Sequence, residues 1–198
     1  MRLLVASTNP GKIREIREIL GSLPLELMTL DDLPPIEAPD ETGATFAENA
    51  ALKVRAYAAA SGMATVAEDS GLVIDALDGR PGVESARYPG DTYADKFAYL
   101  YRELAGKPQP WTGRFVCALA FVETPDGERP PLAFETQATV EGEIASRPQG
   151  TNGFGYDPIF FYPPYGCTLG EVSGDRKLAV AHRGKAFRQF RDWLTAKG

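Results

Sequence analysis

The apolar stretch at residues 3–6 is short and unbroken, and the turn-forming residues 7–11 follow it directly. That order predicts a buried strand ending in a turn. Ile13, Ile16, Ile19 and Leu20 then recur at helical spacing and predict a helix with one apolar face. Pro24 and the proline-rich residues 31–40 predict a long connection. Thr45 and Glu48 form the Thr-x-x-Glu pattern of a capping box, opening a second helix that Gly62 is suited to end. Residues 65–69 predict a strand that stops at Ser70-Gly71, and residues 72–77 predict another. A turn at 78–82 precedes a helix over 93–104. Residues 114–123 and 131–141, joined across Pro125-Asp126-Gly127, predict a hairpin. The chain closes with a glycine-rich segment at 150–156, a short aromatic strand at 159–162 and an amphipathic helix near 185–194. Early alternation of strands and helices, followed by a hairpin, predicts an α/β fold with a mixed sheet. No repeat, linker or low-complexity tract divides residues 1–198, so one domain is expected.

Composition narrows the picture. Hydrophobic residues make up 43% and charged residues 24%, an ordinary globular balance. The longest apolar runs fall short of the roughly 18 residues a membrane helix needs, and the start lacks a signal-peptide layout. Cys117 and Cys167 stand apart, as expected in a reducing cytoplasm. A net charge of −6 argues against a general nucleic-acid binder. Residues 174–198 nevertheless hold seven Lys/Arg against two Asp. A solvated helix face and a local anion site both fit that segment. His182 is the single histidine, so a multi-histidine metal centre is excluded. Any metal would need oxygen ligands, which points to magnesium, with manganese as a substitute.

Five stretches hold candidate chemistry. Ser7, Thr8, Asn9, Pro10, Gly11 and Lys12 lie where a strand meets a helix, with Asn9 suited to cap it and Pro10 to its first position. Free N–H groups there attract phosphate, although a plain capped turn fits equally, and the stretch is not a Walker loop. At about 100° per residue, Phe46, Ala50, Lys53, Tyr57 and Ala60 share one arc of the second helix, with Asn49 beside it and Glu48 and Arg55 opposite. Lys53 in mid-arc needs a counter-charge or an anion, unless it snorkels to water. Glu41 precedes that helix, and Glu68 and Asp69 end a strand, facing opposite ways, although a turn-forming Asp before Ser-Gly fits equally. Phe154, Gly155, Tyr156 and Asp157 fit a platform for a flat base or an aromatic turn packed on the core. Lys177, His182 and Arg183 supply donors before or at the start of the last helix, where simple surface charge fits as well. Together these stretches suit a nucleoside triphosphate with magnesium.

The same stretches, in the same order, resemble the inosine/xanthosine triphosphate pyrophosphatase family over nearly the whole chain. The matching segments are STNPGK at 7–12, ETGATFAENAALKVRAYA at 41–58, EDSGLVIDAL at 68–77, PGVESARY at 81–88, GFGYDPIF at 153–160 and HRGKA at 182–186. The resemblance implies an elongated α/β fold with two lobes around a central cleft, a homodimer, and hydrolysis of ITP, dITP and XTP to the monophosphate and pyrophosphate. It also implies roles. Ser7 to Lys12 would hold phosphates and Lys53 would neutralise them. Glu41 and Asp69 would bind magnesium, with Asp69 also accepting a proton from the attacking water. Ser70 would contact substrate, Phe154 would stack on the base, and Gly155, Tyr156 and Asp157 would complete that wall. Lys177, His182 and Arg183 would read the 6-keto edge of the purine. The family's usual run before His-Arg is close to Glu-Glu-Lys-Asn/Ser-x-x-Ser. Here Arg176 replaces an acid, Leu178 a polar residue and Ala181 the serine. A pyrophosphatase for modified pyrimidines or methylated nucleotides, and a non-catalytic nucleotide sensor, are the alternatives.

Overall fold

A computed structural model of the chain describes residues 1–127 and 130–197. Its elements, in chain order, are β1 (Arg2–Val5), α1 (Pro10–Leu20), β2 (Glu26–Thr29), α2 (Phe46–Ser61), β3 (Thr65–Ile74), α3 (Tyr93–Leu104), β4 (Thr112–Val122), β5 (Phe134–Ile144), β6 (Phe160–Tyr162), β7 (Cys167–Thr168), α4 (Gly174–Val180) and α5 (His182–Lys197). The strands form one mixed sheet in the order β2-β1-β3-β4-β5-β6-β7. β1 runs parallel to β2 and β3, while β6 runs antiparallel to β5 and β7. Two compact units divide the chain: Met1–Asp69, Cys117–Ala138 and His182–Gly198 form the first, and Ser70–Val116 with Thr139–Ala181 the second.

Strand parity builds the first unit. Leu4 and Ala6 of the β1 segment, Ala67 of β3, and Ala118, Ala120 and Val122 of β4 share a cluster with Ala50, Val54, Tyr57 and Ala58 of α2. The intervening residues Leu3, Val5, Val66, Cys117, Leu119 and Phe121 are buried too. On that side α1 packs against α5, and Phe121 meets Phe190 of α5 at a ring separation of 5.0 Å. Strands covered on both faces read as continuous apolar runs. In the second unit α3 lays Phe97, Leu100 and Leu104 against Leu72, Ile74, Phe115, Tyr156, Ile159 and Phe160.

The predicted caps are present. Asn9 accepts the Lys12 N–H at 3.1 Å, Thr45 and Glu48 close their reciprocal box, and Gly62 ends α2 at φ 65°. The hairpin of β4 and β5 is confirmed by Ala133 N–H donating to Phe121 O and Ile144 N–H to Trp111 O; residues 128 and 129 of its connection lie outside the described residues.

Several expectations need correction. Ser70-Gly71 does not stop a strand: β3 runs unbroken through it. Gly71 keeps an ordinary φ, and the Leu72 N–H is taken by Ser85 Oγ at 2.9 Å, so no turn is needed there. β2 falls in a stretch read as connection; it is four residues long and pairs on one side only, with β1. α4 was not expected, and α5 starts at His182, three residues early. On α2, Ala60 is exposed, and Arg55 is half-buried, donating to Pro130 O at 3.2 Å.

Because α2 carries Lys53, its cap sets how firmly that side chain is presented. Thr45→Ala should cost about 1 kcal/mol, measured as a lowered urea midpoint with an unchanged m-value; no change would show the cap to be idle.

Candidate active site

The N-terminus of α1 is shaped by its own side chains. Ser7 Oγ accepts the Asn9 N–H at 3.2 Å, Asn9 caps the helix, and Pro10 opens it. Thr8 is exposed and Gly11 buried. Lys12, in the first turn, reaches Glu68 of β3 at 2.6 Å. Glu68 also receives Arg183 of α5 at 3.4 Å and the Cys117 thiol at 3.3 Å, while Arg183 donates to Glu15 at 2.8 Å. Glu68 and Arg183 are nearly sealed from solvent, at 3% and 2% side-chain exposure. Burial alone would push the Glu68 carboxyl up, but Arg183, Lys12 and Lys53 outweigh it and hold it well below the ordinary range. Burial, with the Glu68 charge beside it, pushes the Cys117 thiol well up, so it stays a thiol.

The next residue along β3 points the other way. Asp69 accepts Lys53 of α2 at 2.9 Å and Asn49 Nδ2 at 3.3 Å. Lys53 also meets Glu41 at 3.4 Å. Asn49 ties the two carboxylates together, since its Oδ1 accepts the Gly43 N–H at 2.8 Å and so holds the segment that carries Glu41. Gly43 has to be glycine for this: a Cβ there would sit 2.7 Å from Asn49 Oδ1 and from Glu48 Cβ. Burial raises the Asp69 carboxyl against the pull of Lys53, with Glu68 and Glu41 pushing the same way as burial. Burial would lower the Lys53 ammonium, yet Asp69, Glu68 and Glu41 raise it instead. The snorkelling reading of Lys53 therefore gives way to a counter-charged one.

The second unit holds the aromatic segment. Asp157 accepts the Phe154 N–H at 2.8 Å and the Lys177 ammonium at 2.5 Å. That ammonium also stands 4.2 Å from the centre of the Phe154 ring. Gly153 and Gly155 sit at φ 75° and 66°, which bends the chain around Asp157. Phe154 is half-exposed, whereas Tyr156 is packed in the core and donates its hydroxyl to Ser85 O at 2.8 Å. Tyr156 is thus a support for the segment, and Phe154 is its available face. Ser70 is half-buried in β3.

Of the expected site residues, Lys12, Lys53, Glu41, Asp69 and Arg183 gather in the first unit, with the buried His182 at the start of α5. Phe154, Asp157 and Lys177 gather in the second. Sequence reading passed over Glu15 and Asn49 as functional positions. The signal for Glu15 was a carboxylate beside Ile16 on the apolar face of α1; for Asn49 it was a polar residue one position before the buried Ala50. Among the described residues no three His, Cys, Asp or Glu side chains are grouped to hold a metal, and Glu41 and Asp69 are joined through Lys53.

The sequence pattern of the Ham1 family matches residues 3–193. The chain belongs to the Ham1 family. Relatives include a protein named dITP/XTP pyrophosphatase from an Exiguobacterium strain, 46% identical over 96% of this chain and 95% of its own. A second of that name, from Geobacter sulfurreducens, is 44% identical over 100% and 98%. Among solved structures, a Ham1 protein from Coxiella burnetii superposes with a TM-score of 0.88 at 37% identity, covering 99% of both chains. No helix among the described residues is long and apolar enough to cross a membrane.

Glu68→Gln leaves Arg183 and Lys12 facing a neutral amide in a buried setting, which should cost about 3–5 kcal/mol at neutral pH. The wild-type contribution is present above the unfolded glutamate value of about 4.3, because the folded carboxyl titrates lower. It is lost as pH falls through that lower folded value. Urea unfolding of metal-free protein across the acidic range should therefore show a steeper stability loss in wild type than in Glu68→Gln; parallel curves would refute this.

Proposed function

We propose that this Ham1 protein hydrolyses non-canonical purine nucleoside triphosphates, ITP, dITP and XTP, to the monophosphate and pyrophosphate, acting in the cytoplasm as a homodimer. The observation that carries the reading is the pairing of consecutive carboxylates, Glu68 and Asp69, with lysines from two different helices. Lys12 and Lys53 are cations held by carboxylates in a partly buried setting, and a triphosphate offers each of them a stronger anion. The names of the relatives, dITP/XTP pyrophosphatase, favour this substrate class over modified pyrimidines and over a sensor without turnover.

Asp69 is the proton acceptor in this reading. Water forms the new bond to phosphorus, the anhydride bond between the α and β phosphates breaks, and the water's proton passes to Asp69. Burial makes Asp69 a better base than an exposed aspartate, while Lys53 keeps it ionised. Lys12, Lys53 and the capped N-terminus of α1, from Ser7 to Lys12, offset charge on the phosphates. Glu41 and Asp69 suit magnesium or manganese, since they are hard oxygen donors already converging on one cationic group, the Lys53 ammonium. When bound, such a metal supplies positive charge to the phosphate oxygens.

Base recognition falls to the second unit's Phe154, which offers a ring face for stacking, and to Lys177, a donor suited to a 6-keto oxygen. Asp157 orients both. Ser70, half-buried next to Asp69 along β3, contacts substrate. Arg183 acts mainly through Glu68, whose charge it balances. His182 lies beside it in the sequence as a further donor.

In a magnesium-containing assay read by pyrophosphate release, dITP should be cleaved at least tenfold faster than ATP, whose 6-amino group leaves a keto-directed donor unpaired. Asp69→Asn should lower turnover by about 10²–10⁴-fold with the fold intact by circular dichroism. Equal rates on dITP and ATP would defeat the selectivity account, and near-wild-type turnover in the variant would remove Asp69 from the chemistry.

A further inference from the structure

Tyr57 lies on α2 four residues beyond Lys53, a spacing that sets two side chains next to each other on one helix face. Tyr57 as a whole is 7% exposed and packs in the cluster with Leu4, Ala50, Val54 and Ala118, while its hydroxyl tip is not sealed from solvent. A core-packed tyrosine keeps its hydroxyl on a protein acceptor or at a surface where water or a ligand can take it. Other tyrosines of this chain do so: Tyr101 donates to Ala145 O and Tyr156 to Ser85 O, both at 2.8 Å, and Tyr165 to Arg176 O at 3.1 Å. The Tyr57 hydroxyl has no hydrogen-bond partner among the described residues.

The charged groups that bear on this hydroxyl are Lys53 and Glu41. Burial pushes its pKa up, with Lys53 opposing and Glu41 adding to the rise, so the phenol stays protonated and keeps its proton to donate. A phenol one turn along the same helix face from an ammonium offers a second donor beside it, and both groups suit an anionic oxygen. We propose that Tyr57 is a further substrate-contacting residue, its hydroxyl donating to an oxygen of the pyrophosphate portion of the nucleotide alongside Lys53. This rests on the assignment of Lys53 as a phosphate-binding residue. It gives α2 two phosphate contacts, from consecutive turns of the same face, where the sequence motif alone indicates one.

The test is Tyr57→Phe, which keeps the ring and its packing and removes only the donor. Three quantities are compared with wild type in magnesium: KM for dITP, the dissociation constant of inorganic pyrophosphate by calorimetry, and the ratio of dITP to dATP cleavage. Loss of a hydrogen bond to a charged oxygen is expected to raise KM and the pyrophosphate constant by about tenfold. Tm and the base ratio should stay unchanged, which a general disturbance of the core would not allow. KM and pyrophosphate affinity both within threefold of wild type would overturn the proposal. So would a pyrophosphate loss accompanied by an equal loss of base selectivity. Wild-type turnover of dITP, measured alongside, separately decides the functional reading, because pyrophosphate binding is read without turnover.

Discussion

Two buried carboxylates on consecutive residues of one strand are a costly thing to fold around. Each loses water, and each repels the other. The alternation of a strand resolves the conflict by sending Glu68 to one face and Asp69 to the opposite one, and the helices then supply a cation to each. Lys12 and Arg183 come from α1 and α5, and Lys53 comes from α2. The same unit is packed through the apolar parity of β1, β3 and β4. In the proposed function an anionic ligand replaces the protein partners of Lys12 and Lys53.

The two sides of β3 differ in how their carboxylates are held. On the Glu68 side, Arg183, Glu15 and the Cys117 thiol close a nearly dry network, and the carboxyl is held ionised with a depressed pKa. That side is a fixed charge that aims Lys12. On the Asp69 side, the carboxyl is raised, Glu41 is only partly buried, and Asn49 fixes the spacing between them. In the proposed mechanism this is the side that exchanges a proton and holds a metal. Rigid support on one face and adjustable chemistry on the other is a division of labour that a single strand imposes.

Legibility in the sequence followed locality. Asn9, the Thr45-Glu48 box and Gly62 act on neighbours within a few residues, and each does what its pattern predicts. The opposed facing of Glu68 and Asp69 needed only strand parity. Ser70-Gly71 misled because β3 continues through it, and the Leu72 N–H just beyond goes to Ser85, 13 positions further on. β2 depends on pairing with β1, and its own four residues carry little pattern. Glu15 was missed because its partner Arg183 lies 168 residues further on. The departures from the family run near α4 are accommodated locally. Arg176 lies over the Tyr165 ring at 4.4 Å, Leu178 is buried, and Ala181 is fully enclosed where a serine hydroxyl would need a partner of its own.

The central claim is that Lys12 and Lys53 are phosphate-binding groups held by carboxylates until a nucleotide takes them. A crystal structure with magnesium and a non-hydrolysable dITP analogue tests it most directly. The account predicts both lysine ammoniums within hydrogen-bond distance of phosphate oxygens, with Lys53 drawn away from Glu41. A triphosphate bound elsewhere, with Lys12 still on Glu68 and Lys53 still bridging Glu41 and Asp69, would contradict it.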